Sequence, residues 1–270
     1  MTYSAHGRTC VGELDDDRVY EFEAANMLEW LGGRGRSRTG ASNAAADVAI
    51  RAPVPEPPSL RDFFAFEGHV AAGWRMRGGS VPEYWYQAPV FYFSNAASIV
   101  GPGTPVRRPE ATKMLDFELE VAAVIGIDGQ IAGFTLMNDW SARDVQAGEM
   151  SVGLGPAKAK DFATSLGPWL VTPDELQYAD GRLNIEARAH VNGEELTVAH
   201  AGEQHYSWPE LVEQAGRDTR LRAGDILGSG TLNGGCLLEL GPLEGDRFLE
   251  PGDTVSIEAQ GLGKLETRIA

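Results

Sequence analysis

Residues 113–126 read KMLDFELEVAAVIG. From Asp116 to Val121 acidic and apolar residues alternate, the period-2 pattern of a β-strand. Successive strand side chains point to opposite faces, so Asp116, Glu118 and Glu120 share one face and Phe117, Leu119 and Val121 the other. If the acidic face is wetted surface, the pattern has no functional meaning. If it turns inward, adjacent carboxylates repel and need a compensating charge.

Outward from this stretch the signals stay mainly β. Residues 121–127 and 130–137 are apolar runs around Asp128-Gly129, a hairpin turn. Residues 185–191 alternate and lead into Asn192-Gly193, a second hairpin; 254–259 and 264–269 make a third around Gly261–Gly263. Helices are few. SWPELVEQAGRD has Ser207 as N-cap, Pro209 in the first turn and Glu210 completing a capping box. DWSARDVQAGEM places Ser141 and Asp144 in the same arrangement. In the first 50 residues, 11–14 and 18–22 flank DDD as a hairpin, 23–31 read as a short helix stopped by Gly32-Gly33, and GRGRSRTGASN reads as a polar loop. APVPEPPS, residues 52–59, carries four prolines and is a stiff connector. Two units are expected: 1–58, a small N-terminal domain with its connector, and 59–270, the main domain. No regular βαβ alternation marks a doubly wound sheet.

Composition narrows the function. Hydrophobic content of 43% and charged content of 23% are ordinary for a globular protein. No apolar run approaches a membrane span, and MTYSAHGRTC has no signal-peptide pattern. Cys10 and Cys236 form no spacing motif and fit a reducing cytoplasm. A formal net charge of −16 argues against nucleic acid or anionic membrane as partner.

Four segments concentrate chemistry: SLRDFFAFEGHV with Asp62 and His69; the opening strand with Glu118 and Glu120; LMNDWSARDVQ with Asp139, Arg143 and Gln146; and GDILGSGTLNGGCLLEL with Thr231 and Glu239. Oxygen-only ligands such as Asp62, Glu118, Glu120 and Asp139 select a hard cation, Mg²⁺, Mn²⁺ or Ca²⁺. Each piece alone has a plainer reading. Alternating acids are commonly solvated, Asp139 fits a helix-end acid, a lone His69 near aromatics is commonly structural, and Arg143 and Gln146 fit a helix surface. Glu239 stands out because CLLELG, expected as a strand, is otherwise apolar.

Together these segments resemble the fumarylacetoacetate hydrolase family from about residue 60 to the C-terminus. The resemblance rests on RDFFAFEGH, PVFYFSNAASIVGPGTPVRRP, LDFELE, LMNDWSARDVQ, KDFAT, GDILGSGT and LLEL, in the family's order. It implies a mixed β-roll or sandwich with few helices, normally a homodimer. It also implies a divalent cation on Asp62, Glu118, Glu120 and Asp139, with Asp116 outside the ligand set. His69 matches the histidine that activates water and Glu239 the glutamate that orients it. Arg143, Gln146 and Lys160 match the oxyanion-stabilising cluster, with Lys160 and Thr164 near a second cation. Tyr92 and Thr231 match substrate contacts. Lys160 rather than Lys158 keeps the K-x-F-x-T spacing. Phe64 and Met150 stand where fumarylacetoacetate hydrolase has substrate-contacting tyrosines, making a less polar pocket.

The expected activity is metal-dependent hydrolysis of a C–C bond in a small 1,3-diketone acid, acylpyruvate-like or fumarylacetoacetate-like. Decarboxylation or isomerisation of a 2-oxo or 2-hydroxydienoic acid, and a non-catalytic metal- or small-molecule-binding role, are the competing expectations.

Overall fold

The computed structural model describes residues 1–270 and is mainly β with five short helices. Its centre is a seven-stranded mixed sheet in the order Phe91–Ser94, Leu60–Phe63, Ile226–Gly228, Leu119–Ile125, Ile131–Asp139, Thr164–Val171, Ile99–Val100. A four-stranded antiparallel sheet, Glu194–His200, Glu186–Val191, Thr254–Ala259, Gly263–Arg268, shares the larger apolar core with it. A five-stranded sheet is built from Thr2–Ala5, Arg8–Asp15, Arg18–Phe22, Arg38–Ala44 and Ala49–Ile50. No helix is long and apolar enough to cross a membrane.

The opening stretch sits at the middle of this arrangement. Leu119–Ile125 is buried along its whole length. Leu119, Val121, Ala123 and Ile125 belong to the core shared with the four-stranded sheet. Ala122 and Val124 point the other way, onto Val11, Met27, Leu31, Ala52 and Val54 of the N-terminal segment. A strand covered on both faces reads as a continuous apolar run, which is why VAAVI follows the alternating acids. Glu118 and Glu120 lie on the face of Ala122 and Val124, so the N-terminal segment covers one end of an acidic face. Full burial of a Leu or Val side chain contributes about 1.5–3 kcal/mol, whereas a buried ion costs several kcal/mol. Several such apolar residues therefore offset the acids at the head of this strand.

The four expected hairpins form, the N-terminal one pairing Arg8–Asp15 with Arg18–Phe22. Leu119–Ile125 pairs antiparallel with Ile131–Asp139, and Asp128 and Gly129 supply the left-handed backbone between them, φ 57° and 74°. Glu186–Val191 pairs with Glu194–His200 around Asn192-Gly193, and Thr254–Ala259 with Gly263–Arg268. The capping box of Ser207 and Glu210 is present on Trp208–Gly216.

Five local expectations need correction. The alternating stretch 116–121 is not one strand: Leu115–Asp116 pairs with Ser141–Ala142, the chain leaves strand geometry at 117–118, and Leu119–Ile125 then enters the central sheet. The polar stretch expected as a loop contains the strand Arg38–Ala44, which pairs with Arg18–Phe22. Backbone pairing and the packing of Arg38 over Tyr20, 4.2 Å from the ring centroid, replace an apolar pattern there. The first helix is only Met27–Leu31, because Asn26 caps it by accepting from the Glu29 amide. Ser141 and Asp144 form no capping box. Ser141 lies in the two-residue strand Ser141–Ala142, and Arg143–Ser151 starts after Ala142 with no side-chain cap. Asp144 instead accepts from Thr112 Oγ1 and the Lys113 amide. Finally, Glu239 lies on the four-residue helix Leu237–Leu240 rather than in a strand; Gly241 ends that turn with φ 95°.

Candidate active site

The central sheet brings the four predicted ligands together. Asp62 is on Leu60–Phe63, which runs parallel to Ile226–Gly228 with Asp62 opposite Gly228. A Cβ at residue 228 would lie 2.3 Å from Asp62 Oδ1 and 2.4 Å from Met137 Cε, so glycine leaves the space that Asp62 fills. Glu120 is on the neighbouring strand, and Asp139 ends the next, opposite Thr164. Glu118 precedes the strand, where its amide donates to Asn138 Oδ1 at 2.9 Å. One oxygen from each of Asp62, Glu118, Glu120 and Asp139 lies within 4.8 Å of the others, and all four residues are buried.

Two cations reach this cluster. Lys160 Nζ donates to Glu118 Oε2 at 2.5 Å and Asp139 Oδ2 at 2.7 Å. Arg143 Nη1 lies 2.8 Å from Glu118 Oε1, and its Nε donates to Asp116 Oδ2 at 2.8 Å. Exposed Lys158 points elsewhere, to half-buried Asp161. Five buried carboxylates, counting Asp116, thus face two cationic side chains. Burial works against the Glu118 charge, but Lys160 and Arg143 hold its pKa down to about 2. Asp62 and Glu120 have no such partner. Burial, reinforced for Asp62 by Asp139 and for Glu120 by Asp62, pushes both well above the usual carboxylate range. Glu120 Oε2 is buried without a hydrogen-bond partner. Surplus negative charge, all-oxygen donors and an orphaned carboxylate oxygen fit a hard divalent cation.

The predicted dyad also forms. His69, on Glu67–Met76, places Nδ1 2.7 Å from Glu239 Oε2. A carboxylate only accepts, so Nδ1 carries the proton. Nε2 is turned toward the acidic cluster, 4.0 Å from Glu118 Oε1. Phe64 holds the imidazole edge-on, with centroids 5.3 Å apart. Glu239 Oε1 accepts from the Gly234 amide at 3.0 Å. Burial opposes the Glu239 charge, but the His69 contact holds its pKa below the ordinary value. Cys236 Sγ, 3.4 Å from Glu239 Oε2, completes the surroundings.

The remaining predicted residues gather nearby. Gln146 accepts from Arg143 Nη1 at 3.2 Å, one helical turn on. Thr231 Oγ1 is 3.5 Å from Glu120 Oε1, and Thr164 Oγ1 3.5 Å from Asp139 Oδ1. Tyr92 OH donates to Asp139 Oδ2 at 2.5 Å; burial, and then the Asp139 charge, raise its pKa well above the ordinary phenol value. Arg143 Nη2 is buried and unpartnered, a donor in reserve.

Asp62, Glu118, Glu120, His69, Arg143, Gln146, Lys160 and Thr231 line a cavity of ≈ 250 Å³ whose wall also includes Phe64, Trp74, Arg77, Tyr92 and Met150. Sequence reasoning missed Trp74 and Arg77. His69, Gly73 and Arg77 recur every four residues, the spacing of one helix face, and that periodicity was the available signal. It also missed the work of Asp116, which receives Arg143 Nε and the amides of Leu237 and Leu238.

Residues 60–270 match the family described as Fumarylacetoacetate (FAA) hydrolase C-terminal. A fumarylacetoacetase of Oryza sativa subsp. japonica is 33% identical over 270 residues, 73% of this chain and 62% of that protein. An oxaloacetate tautomerase of Bacillus subtilis (strain 168) is 28% identical, across 96% of this chain and 85% of the relative. The chain thus spans less than two thirds of the rice fumarylacetoacetase. Among solved structures, the 5-carboxymethyl-2-hydroxymuconate delta-isomerase from Mycobacterium smegmatis superposes with TM-score 0.73 at 26% identity, covering 100% of this chain and 99% of that one. A fumarylacetoacetate hydrolase from Exiguobacterium antarcticum shares the fold, with TM-score 0.77 at 22% identity and coverage of 99% and 97%.

Proposed function

Because this chain belongs to the fumarylacetoacetate hydrolase family, we propose that it hydrolyses a C–C bond in a small 1,3-diketone acid, acylpyruvate-like or fumarylacetoacetate-like. The observation that carries this reading is the His69–Glu239 pair. Its protonated Nδ1 is held by a carboxylate while Nε2 is directed at the acidic cluster, the arrangement of a general base beside an electrophilic centre.

Asp62, Glu118, Glu120 and Asp139 would hold a divalent cation, which would supply Lewis-acid polarisation of a dicarbonyl and charge compensation for an enolate. His69 Nε2 takes a proton from water, and Glu239 stabilises the imidazolium that results. The hydroxide adds to one carbonyl carbon, and Arg143, through its free Nη2, joins Gln146 and Lys160 in stabilising the oxyanion. The carbonyl re-forms as the C–C bond breaks, its electron pair leaving in the enolate. His69 then returns its proton to the enolate carbon, giving a carboxylic acid and a ketone or keto acid. Phe64 and Met150 make the pocket wall less polar than tyrosines would, which favours an apolar substrate tail.

Isomerisation or decarboxylation of a 2-oxo or 2-hydroxydienoic acid is the second reading. Its support is the tautomerase relative, matched over more of both chains than the rice fumarylacetoacetase. Mass spectrometry of products from a diketone-acid panel with Mn²⁺ in H₂¹⁸O separates the two. Hydrolysis gives two fragments with ¹⁸O in one new carboxylate. Loss of CO₂, or rearrangement at constant mass, would overturn the hydrolytic reading.

A further inference from the structure

We propose that Asp116 is a positioning residue that couples Arg143 to the His69–Glu239 pair, an inference that rests on the catalytic reading of those three side chains. Asp116 stands two residues from Glu118 in the same alternation, yet it is not among the grouped cation ligands. It is fully buried and its oxygens are divided between two elements. Oδ1 accepts the Leu237 amide at 2.8 Å. Oδ2 accepts the Leu238 amide at 3.0 Å and Arg143 Nε at 2.8 Å.

Those two amides open the turn Leu237–Leu240, which carries Glu239. Glu239 in turn holds His69. One carboxylate therefore joins the guanidinium to the turn that orients the imidazole. The backbone reinforces the link. Leu115–Asp116 pairs with Ser141–Ala142, and the Arg143 amide donates to Met114 O at 2.9 Å. Arg143 is thus fixed through Nε, leaving Nη1 for Glu118 and Gln146 and Nη2 unpartnered. Without Asp116 the guanidinium would pivot about Glu118, and the Glu239 turn would lose both of its side-chain acceptors.

The carboxylate is required because its two oxygens receive three donors. An asparagine of the same shape keeps one acceptor oxygen and turns an N–H₂ toward the remaining donors. Asp116→Asn in the Mn²⁺-loaded protein is expected to lower kcat by about 10–100-fold, comparable to losing a positioned partner in a catalytic site, with KM and Mn²⁺ affinity within about threefold. The double variant Asp116→Asn/Glu239→Gln should be no slower than the slower single variant, since both act on one unit. A purely structural role would lower folded yield instead and leave the two effects multiplicative.

A readout independent of turnover is the far-downfield NMR resonance of the His69 Nδ1 proton, assigned by its disappearance in Glu239→Gln. It should shift or broaden in Asp116→Asn. Should that variant not fold, Leu237→Pro removes one of the two amides at the first helical position, where proline is tolerated; the preceding Cys236 is already extended, φ −153°. The same resonance should then move. An unchanged resonance in the folded variant, or multiplicative rate effects, overturns the proposal. Products other than hydrolytic fragments would change the reaction assignment while leaving the resonance and the coupling cycle to judge Asp116.

Discussion

Two stretches of this molecule carry the same alternating signature in different surroundings: the strand Glu186–Val191, and the acids that run from Leu115–Asp116, across a break at 117–118, into Leu119–Ile125. Glu186, Arg188 and His190 alternate with buried Ala187, Ala189 and Val191, and the polar three are only half-buried. Arg188 reaches Glu186 and Glu195, each at 2.5 Å, on a face that meets solvent. Asp116, Glu118 and Glu120 alternate in the same way but are buried; Arg143 pairs with the first two, Lys160 with Glu118, and Glu120 has no cationic partner. Alternation therefore assigns side chains to faces, while the topology decides what each face meets. The distinguishing feature lies just downstream. Ala122 and Val124 continue the acidic face with apolar side chains packed on the N-terminal segment, whereas the polar face of the other strand stays polar to its end.

The comparison breaks most sharply if the two sets of acids respond alike to neutralisation. Glu120→Gln keeps the shape but removes a buried charge from the acidic cluster. It is expected to abolish detectable metal-dependent turnover and weaken Mn²⁺ binding in calorimetry. Retained Mn²⁺ affinity would remove Glu120 from the ligand set. The next largest effect belongs to His69→Ala. It should lower turnover by about 10²–10⁴, the usual contribution of a general base, with Mn²⁺ binding intact because His69 is not in the carboxylate cluster. Unchanged turnover would remove the water-activation role and favour isomerisation.

The hairpins were legible because Asp-Gly and Asn-Gly steps encode left-handed backbone locally, as at Asp128-Gly129 and Asn192-Gly193. The acidic cluster and the dyad were legible only through family motifs. Asp62 and Glu120 are 58 residues apart in sequence (120 − 62), and only the insertion of Ile226–Gly228 between their strands brings them to one place. The strand Arg38–Ala44 was illegible because its residues are mostly exposed, so pairing left no apolar period. Asp116 escaped for a different reason. Its partners are the amides of Leu237 and Leu238, and a backbone donor leaves no trace in residue type.

Cation removal sharpens the contrast through pH. Asp62 and Glu120 have raised pKa values in the folded, cation-free protein, burial being the main cause. Unfolded, such groups titrate near about 3.9 and 4.3. The folded state holds these protons more tightly, so their contribution to stability is present below about pH 4 and is lost as pH rises through the folded values. A cation should reverse that loss by binding the deprotonated carboxylates. The melting-temperature gap between Mn²⁺-loaded and chelator-treated protein is therefore expected to widen from pH 5 to pH 8. At 100 times Kd the cation adds about 2.7 kcal/mol, which corresponds to roughly 5–10 °C for a domain of this size. A gap that narrows with rising pH would contradict proton–cation competition at these carboxylates.

The smallest effect is the control that gives the others meaning. Glu186→Gln removes an acid from the solvent-facing alternation, where Arg188 still has Glu195. Exposed ion pairs gain little because water solvates both partners nearly as well. The variant should match the parent in turnover, Mn²⁺ affinity and melting temperature, and the match should hold when added salt screens the remaining pair. Its melting gap should widen from pH 5 to pH 8 as in the parent, since the proton-binding carboxylates Asp62 and Glu120 lie on the seven-stranded sheet. A variant that instead lost stability or cation affinity would show that the four-stranded sheet's polar face is coupled to the acidic cluster through the shared core, and that solvent exposure does not separate the two stretches.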